Sequence, residues 1–184
     1  MIEIRIHGRG GQGAVTTSQL LAIAAFFDGK QSQGFPNFGV ERRGAPSNAF
    51  VRIDDKPINL RSQIYNPDIV LVLDASMFSA ENVLEGIKPT GCLIVNSKKT
   101  PQELGIKGKF KIYTVDANKL SIAVIGKPIA NTAILGAFAK VTGLVTLDSL
   151  KKAIEQRFEG ETAEINKKII EKVYETCESG ICKF

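Results

Sequence analysis

The sequence predicts an α/β fold, a Rossmann-like and mainly parallel sheet with an added antiparallel hairpin and helices on both faces. Three observations carry this. The runs "DIVLVLD", "GCLIVN" and "FKIYTVD" have the length and apolar content of strands buried on both sides. Segments of helical periodicity alternate with strands, the order of layered parallel folds. The alternating stretch "EIRIHG" leads through a glycine-rich turn into an apolar helix, the opening unit of such a sheet.

Taken in order, residues 3–8 give the first strand and residues 14–27, with recurrent apolar side chains, the first helix. "KQSQGF" at 30–35 reads as a second strand. "SNAFVRI" at 47–53 and "KPINLRS" at 56–62 flank the turn-forming pair Asp54 and Asp55, and predict the hairpin. The buried runs come next, at 68–74, 91–96 and 110–116. Helices are expected at about 117–125, 132–142, 148–158 and 162–176. With 43% hydrophobic residues in 184, the chain can bury one ordinary core, so 1–184 is read as a single domain.

Composition narrows the function. No apolar run approaches the ~20 residues that span a bilayer, and the N-terminus enters a strand pattern without a signal peptide, so the expectation is a cytoplasmic protein with no membrane partner. The formal charge of +5 comes from the second half, where lysine and glutamate mix along helical patterns such as "LKKAIEQRFEGETAEINKKIIEKVYE". Those are solvated helix faces, and nucleic acid is not an expected partner. Arginine is distributed differently: Arg5, Arg9, Arg42, Arg43, Arg52 and Arg61 all precede residue 62, which places anion or partner recognition in the first third. Cys92, Cys177 and Cys182 contain no Cys-x-x-Cys pair. They predict no disulfide framework, no complete zinc site and no iron–sulfur cluster, and are expected to remain thiols.

The candidate site begins with Gly8, Gly10 and Gly13, a G-x-G-x-x-G spacing with Gly11 and Gln12 inside it, between strand and helix. Bare backbone there lets a phosphate approach helix N–H groups; the alternative is a tight packing turn that binds nothing. A nicotinamide dinucleotide is disfavoured, because the acid that holds the ribose is missing: Asp28 and Glu41 lie before and after the expected strand end. A Walker loop also fails, since no Lys-Ser or Lys-Thr follows. In "GFPNFGVERRGAPSNAF", glycine and proline carry Arg42 and Arg43 on a shaped loop that a doubly wound sheet brings toward the glycines. The pair reads either as anion ligands or as a surface pair bonded to Glu41, and Phe35 and Phe38 beside it favour an interface or a stacked ligand. Asn131 or Thr132 is expected as N-cap of the helix "TAILGAFAKVT", an anion site only if the cap is more than structural. Asp74 ends a strand, where it binds a ligand or caps a helix near Ser76. His7, the single histidine, lacks a nucleophile and is read as structural or supporting. No catalytic or metal-ligating constellation stands out.

Four ordered blocks, "HGRGGQGAVTTSQLLAIAA", "FPNFGVERRGAPSNAFVRID", "RSQIYNPDIVLVLD" and "NTAILGAFAKVTGLV", together resemble the gamma subunit of the pyruvate and 2-oxoisovalerate:ferredoxin oxidoreductases, from Ile2 to about Glu175. The resemblance implies a Rossmann-like domain in a hetero-oligomeric, oxygen-sensitive enzyme of anaerobic metabolism that decarboxylates a 2-oxoacid to acyl-CoA and reduces ferredoxin. It implies alpha and beta partner subunits with thiamine diphosphate and Mg²⁺, a ferredoxin-like delta subunit with iron–sulfur clusters, and a gamma chain that holds none of these. It associates the gamma domain with coenzyme A, making Arg42 and Arg43 the phosphate candidates and the Gly8–Gly13 loop a backbone contact or a subunit packing turn. Gamma-type subunits for 2-oxoglutarate or indolepyruvate, and a purely structural or nucleotide-binding module, are the alternatives. "AILGAFA" and "GFPNFG" look like faces awaiting a partner, so self-association is also expected.

Overall fold

The computed structural model describes residues 1–37 and 43–177. Arg42, Phe38 and Cys182 therefore lie outside the described residues. The elements run β1 (Ile2–Arg9), α1 (Ala14–Phe27), β2 (Gln31–Pro36), β3 (Pro46–Asp54), β4 (Ile69–Val72), a 3₁₀ turn (Ala75–Ser79), β5 (Cys92–Asn96), β6 (Lys111–Val115), α2 (Ala117–Ile125), α3 (Ala130–Thr142), α4 (Leu147–Arg157) and α5 (Gly160–Thr176). One sheet joins all six strands in the order β2-β3-β1-β4-β5-β6. The α/β class is as the sequence predicts.

The parallel half, β1-β4-β5-β6, arises from the apolar runs, with Ile4 opposite Ile69 and Leu71 opposite Ile94. The antiparallel half differs from the expected hairpin. Residues 56–62 form no strand, and β3 instead pairs antiparallel with β1, Ile2 opposite Ile53, and with β2, Gln31 opposite Asp54. A side chain explains this: the Arg52 guanidinium draws in the backbone carbonyls of Leu60, Ser62 and Gln63, so those acceptors serve an arginine rather than a ladder. The antiparallel addition is real, but its strands are β2 and β3.

The five α-helices contribute to one large apolar cluster with Ile4, Ile6, Val51, Leu71 and Ile94. The opposite face carries no described α-helix, which corrects the expectation of helices on both faces: the 3₁₀ turn and irregular segments cover it, with Met77, Val83, Leu104 and Phe110 over Val70, Val72, Leu93 and Val95. Close helix–sheet approach requires Gly34: a Cβ there would lie 2.6 Å from the Ser18 carbonyl oxygen of α1. Asp28 follows α1 and accepts hydrogen bonds from the Thr146 backbone and hydroxyl and from the Ser149 hydroxyl, fastening the start of α4 to the end of α1. The "AILGAFA" run is buried inside this core along α3. It cannot serve as an interface, which corrects that part of the self-association argument. No single described helix is long and apolar enough to cross a membrane.

Candidate functional site

Open α/β sheets place ligands beyond the carboxyl ends of parallel strands, at the point where the chain reverses its direction of strand addition. Here that point lies between β1 and β4, because the chain leaves β1 toward β2 and β3 on one side and returns to β4 on the other. A cleft of about 1140 Å³ opens there. Its walls are the segments that leave the parallel strands: the glycine loop after β1, residues 73–79 after β4, residues 96–99 after β5 and Asp116 after β6, together with the turn 128–131 that starts α3.

The glycine motif divides in two. Gly8 lies in the β1–β3 ladder opposite Ser47, and Gly10 exchanges backbone hydrogen bonds with Gly44 and Ala45. Only Gly11, Gln12 and Gly13 line the cleft. Gly13 sits at the N-cap of α1 with φ +83, and a Cβ on it would meet the Asn131 amide nitrogen at 2.5 Å. Glycine is thus required twice over, for the left-handed conformation and for the approach of a second helix. Gln12 fixes the loop: its Oε1 accepts from the Arg9 backbone and its Nε2 donates to Asp74 Oδ2 at 2.8 Å.

The expected cap of the third helix is corrected. α3 begins at Ala130, its N-cap is Ile129, and neither Asn131 nor Thr132 caps it through a side chain. Pro128 and Ile129 start the helix earlier than expected, which carries Asn131 into the first turn, against Gly13, and buries Thr132. The consequence is electrostatic. α1 and α3 both lack a side-chain cap, both lack an acid in the first turn, and their N-termini meet on one wall of the cleft. Each brings unfilled N–H groups and the positive end of a helix dipole.

The cleft's side chains carry charges of both signs. Lys98 and Lys99 stand on its β5 wall. Its three carboxylates are all engaged locally: Asp74 accepts from the Ser76 backbone, Glu103 from that of Thr100, and Asp116 from that of Lys119. Burial alone would raise the Asp74 pKa, but hydrogen bonds from Gln12 and Ser76 and the nearby Arg9 hold it below the ordinary carboxylate value.

Of the other expected residues, Arg43 does come beside the glycine loop, through a parallel bridge to Gly10, with its side chain next to Gly11. It does not itself line the cleft. Phe35 is accounted for inside the sheet, packed on Phe50 with Arg52 5.3 Å from its ring. Asp74 takes the capping part, at the 3₁₀ turn, and also grips Gln12. His7 lies on the far face of the sheet, bonded to Glu81 and Arg5. Lys98, Lys99 and Asn96 are additions that no sequence motif marks; the available signal is the abrupt change from "CLIV" to "NSKK" at a strand's carboxyl end. Among the described residues no three His, Cys, Asp or Glu side chains gather as a metal site.

The profile of the pyruvate ferredoxin/flavodoxin oxidoreductase family matches residues 3–176. The chain is 56% identical to pyruvate synthase subunit PorC of Methanocaldococcus jannaschii, over 95% of this chain and 96% of that one. It is 52% identical to the pyruvate/ketoisovalerate oxidoreductases common subunit gamma of Pyrococcus furiosus, over 97% and 98%. The crystal structure of pyruvate oxidoreductase subunit PORC from Thermotoga maritima superposes with a TM-score of 0.81 at 38% identity, covering 95% of both chains.

Proposed function

This chain belongs to the pyruvate ferredoxin/flavodoxin oxidoreductase family as a gamma-type subunit, and we propose that its part in the enzyme is to hold the phosphates of coenzyme A in the cleft beside β1. The enzyme oxidatively decarboxylates pyruvate or 2-oxoisovalerate to the acyl-CoA and passes the electrons to ferredoxin. In this reading thiamine diphosphate, Mg²⁺ and iron–sulfur clusters belong to the alpha, beta and delta partners. The gamma chain supplies binding and orientation only.

One observation carries the reading: the uncapped N-termini of α1 and α3 meet at Gly13 and Asn131 on the wall of one cleft. Coenzyme A has a diphosphate and a 3′-phosphate, and the latter blocks the ribose diol. It therefore calls for N–H groups and cations rather than for the ribose-binding acid of a dinucleotide site. Gly11, Gln12, Gly13 and Asn131 give the first and Lys98 and Lys99 on the facing wall the second, while Arg43, next to Gly11, and Arg42, before it in the sequence, are the further cationic candidates. Gly8 and Gly10 act behind them, as the backbone pairing that fixes the loop.

The test uses the assembled enzyme, sized before assay. Replacing both Arg42 and Arg43 by Ala removes charge-assisted hydrogen bonds worth about 1.5–3 kcal/mol each. The coenzyme A KM should rise roughly ten- to a hundredfold even with partial expression of that energy. Lys98→Ala with Lys99→Ala should raise it less, since an ammonium acts as a point charge without the fork. Unchanged coenzyme A dependence in both intact double variants would overturn the reading. Complexes that fall apart on arginine replacement would place that pair in a subunit contact.

A further inference from the structure

The two helix N-termini are useful together only if they stay in register, and one buried side chain joins them. Thr17, in the second turn of α1, is fully buried. Its Oγ1 lies 3.0 Å from the Gly13 carbonyl oxygen at the start of its own helix and 3.1 Å from the Asn131 carbonyl oxygen in the first turn of α3. The Thr17 backbone N–H also bonds the Gly13 carbonyl, at 2.9 Å, so Gly13 is held from within α1 whatever the hydroxyl does. The single hydroxyl proton is within reach of both carbonyls, and only its contact with Asn131 links the hydroxyl to the second helix. Its reach to Asn131 is the polar tie between the two N-terminal turns, at the level of the cleft.

We propose that Thr17 is a positioning residue for coenzyme A: its hydroxyl holds the N-terminus of α3 against that of α1, so that N–H groups from both helices address a single phosphate of the ligand. The proposal rests on the coenzyme A reading above. Thr17 does not itself line the cleft, whereas Thr16, its neighbour on the exposed side of the helix, does. Its effect passes through Asn131, whose amide packs on Gly13 at the junction of the two turns. Without the hydroxyl, apolar packing still seats α3 in the core through Ile134, Leu135 and Phe138. What is lost is the alignment of its first turn, the only part of α3 that meets the ligand.

The experiment compares Thr17→Val with Thr17→Ser in the assembled enzyme, following the coenzyme A KM, kcat at saturation and inhibition by inorganic pyrophosphate, a probe that carries the phosphates alone. Valine keeps the shape and removes the donor. The expected result is a coenzyme A KM roughly tenfold higher, a matching loss of pyrophosphate inhibition, kcat within about twofold and near-complete rescue by serine, the size of effect of one hydrogen bond expressed in binding. If the valine complex does not assemble, Thr17→Cys, with a weaker donor, is read on the same scale against serine. A KM that stays at the wild-type value in the donor-deficient variant overturns the proposal, as does a KM that follows the melting temperature equally in both variants. The underlying reading fails differently: pyrophosphate would then not compete with coenzyme A in the wild-type enzyme, and the lysine pair would not affect its KM.

Discussion

At β1 and β3 the two faces of the sheet are built on different physics, whereas at β4 and β5 both faces are apolar. β1 turns Ile2, Ile4 and Ile6 toward the helices, into a continuous apolar core. Its residues Glu3, Arg5 and His7 look the other way, where Arg52 binds Glu3, Arg5 binds His7 and the carbonyls of Val83 and Glu85, and His7 binds Glu81. The apolar face works without direction: any side chains of suitable volume in this pattern exclude water. The polar face is directional. Its arginines hold two irregular segments, 60–63, and 81–85, which also docks by burying Val83. One face stabilises the sheet; the other decides where the loops lie, and the loop after β4 is a wall of the cleft.

The sharpest way to break the contrast is to remove apolar volume. Leu71, on the central strand β4 and fully buried, faces the helical side. Leu71→Ala should cost about 2.7–5 kcal/mol, the transfer energy of the lost atoms plus that of the cavity. Urea unfolding of the purified chain measures it. A loss below about 1 kcal/mol would mean that this face tolerates voids and is not the dominant source of stability.

Arg52 tests the other face at smaller amplitude. It is fully buried, but its partner Glu3 remains partly exposed and the carbonyls it serves lie on an exposed loop, so water can replace it in part. Arg52→Ala should cost about 1.5–3 kcal/mol, the range for hydrogen bonds to a charged group. Arg52→Met, which restores the volume without the donors, should recover little. The faces also differ in where the damage falls. Proteolysis and amide exchange should rise first in residues 56–63 for the arginine variants, and throughout the sheet for Leu71→Ala. Full recovery by methionine would show that Arg52 acts by packing alone.

That division also explains what the sequence can reveal. The parallel strands are readable because burial on both sides makes them continuous apolar runs, and the described α-helices because burial of one side imposes a period of 3.6 residues. Residues 56–62 imitate a strand because carbonyls there and at Gln63 serve an arginine eight to eleven residues away, and hydrogen bonds from one side chain to scattered carbonyls leave no period. In the site, the glycine loop and the neighbourhood of Arg43 are readable from motif and topology. The roles of Gly8 and Gly10 as backbone-pairing residues, the start of α3 at Ala130, and the lysines after β5 are not, since each depends on which loop faces which across the cleft.

The smallest effect is a pH dependence that belongs to the polar face alone. His7 is buried, and its Nε2 accepts from Arg5 Nε, so the ring is neutral with its proton on Nδ1, donated to Glu81. Burial lowers its pKa below the ordinary 6.5; Glu81 opposes the shift through a hydrogen bond and its charge, while Arg5 reinforces it. The Asn48 amide also donates to the Glu81 carboxylate, and Glu85 faces Arg5 from the same segment. A group whose folded pKa lies below its unfolded value contributes stability that is complete above 6.5 and is lost as pH falls through the folded pKa, because the unfolded chain takes up the proton first. Burial pushes the Glu81 pKa up, but the hydrogen bond from His7, with smaller contributions from Asn48 and Arg5, leaves it below 4.5. Its contribution has the same sign in a more acidic window. Wild-type stability should thus decline as pH drops below 6.5 and decline again below 4.5. His7→Gln keeps one donor toward Glu81 and one acceptor toward Arg5 but cannot titrate, so it should flatten only the first step. Urea midpoints measured across that range decide it: a glutamine variant that tracks the wild type in parallel from about pH 7 to about pH 5 would show that the imidazole proton plays no part, and that the polar face is held by Arg5 and Glu81 without it.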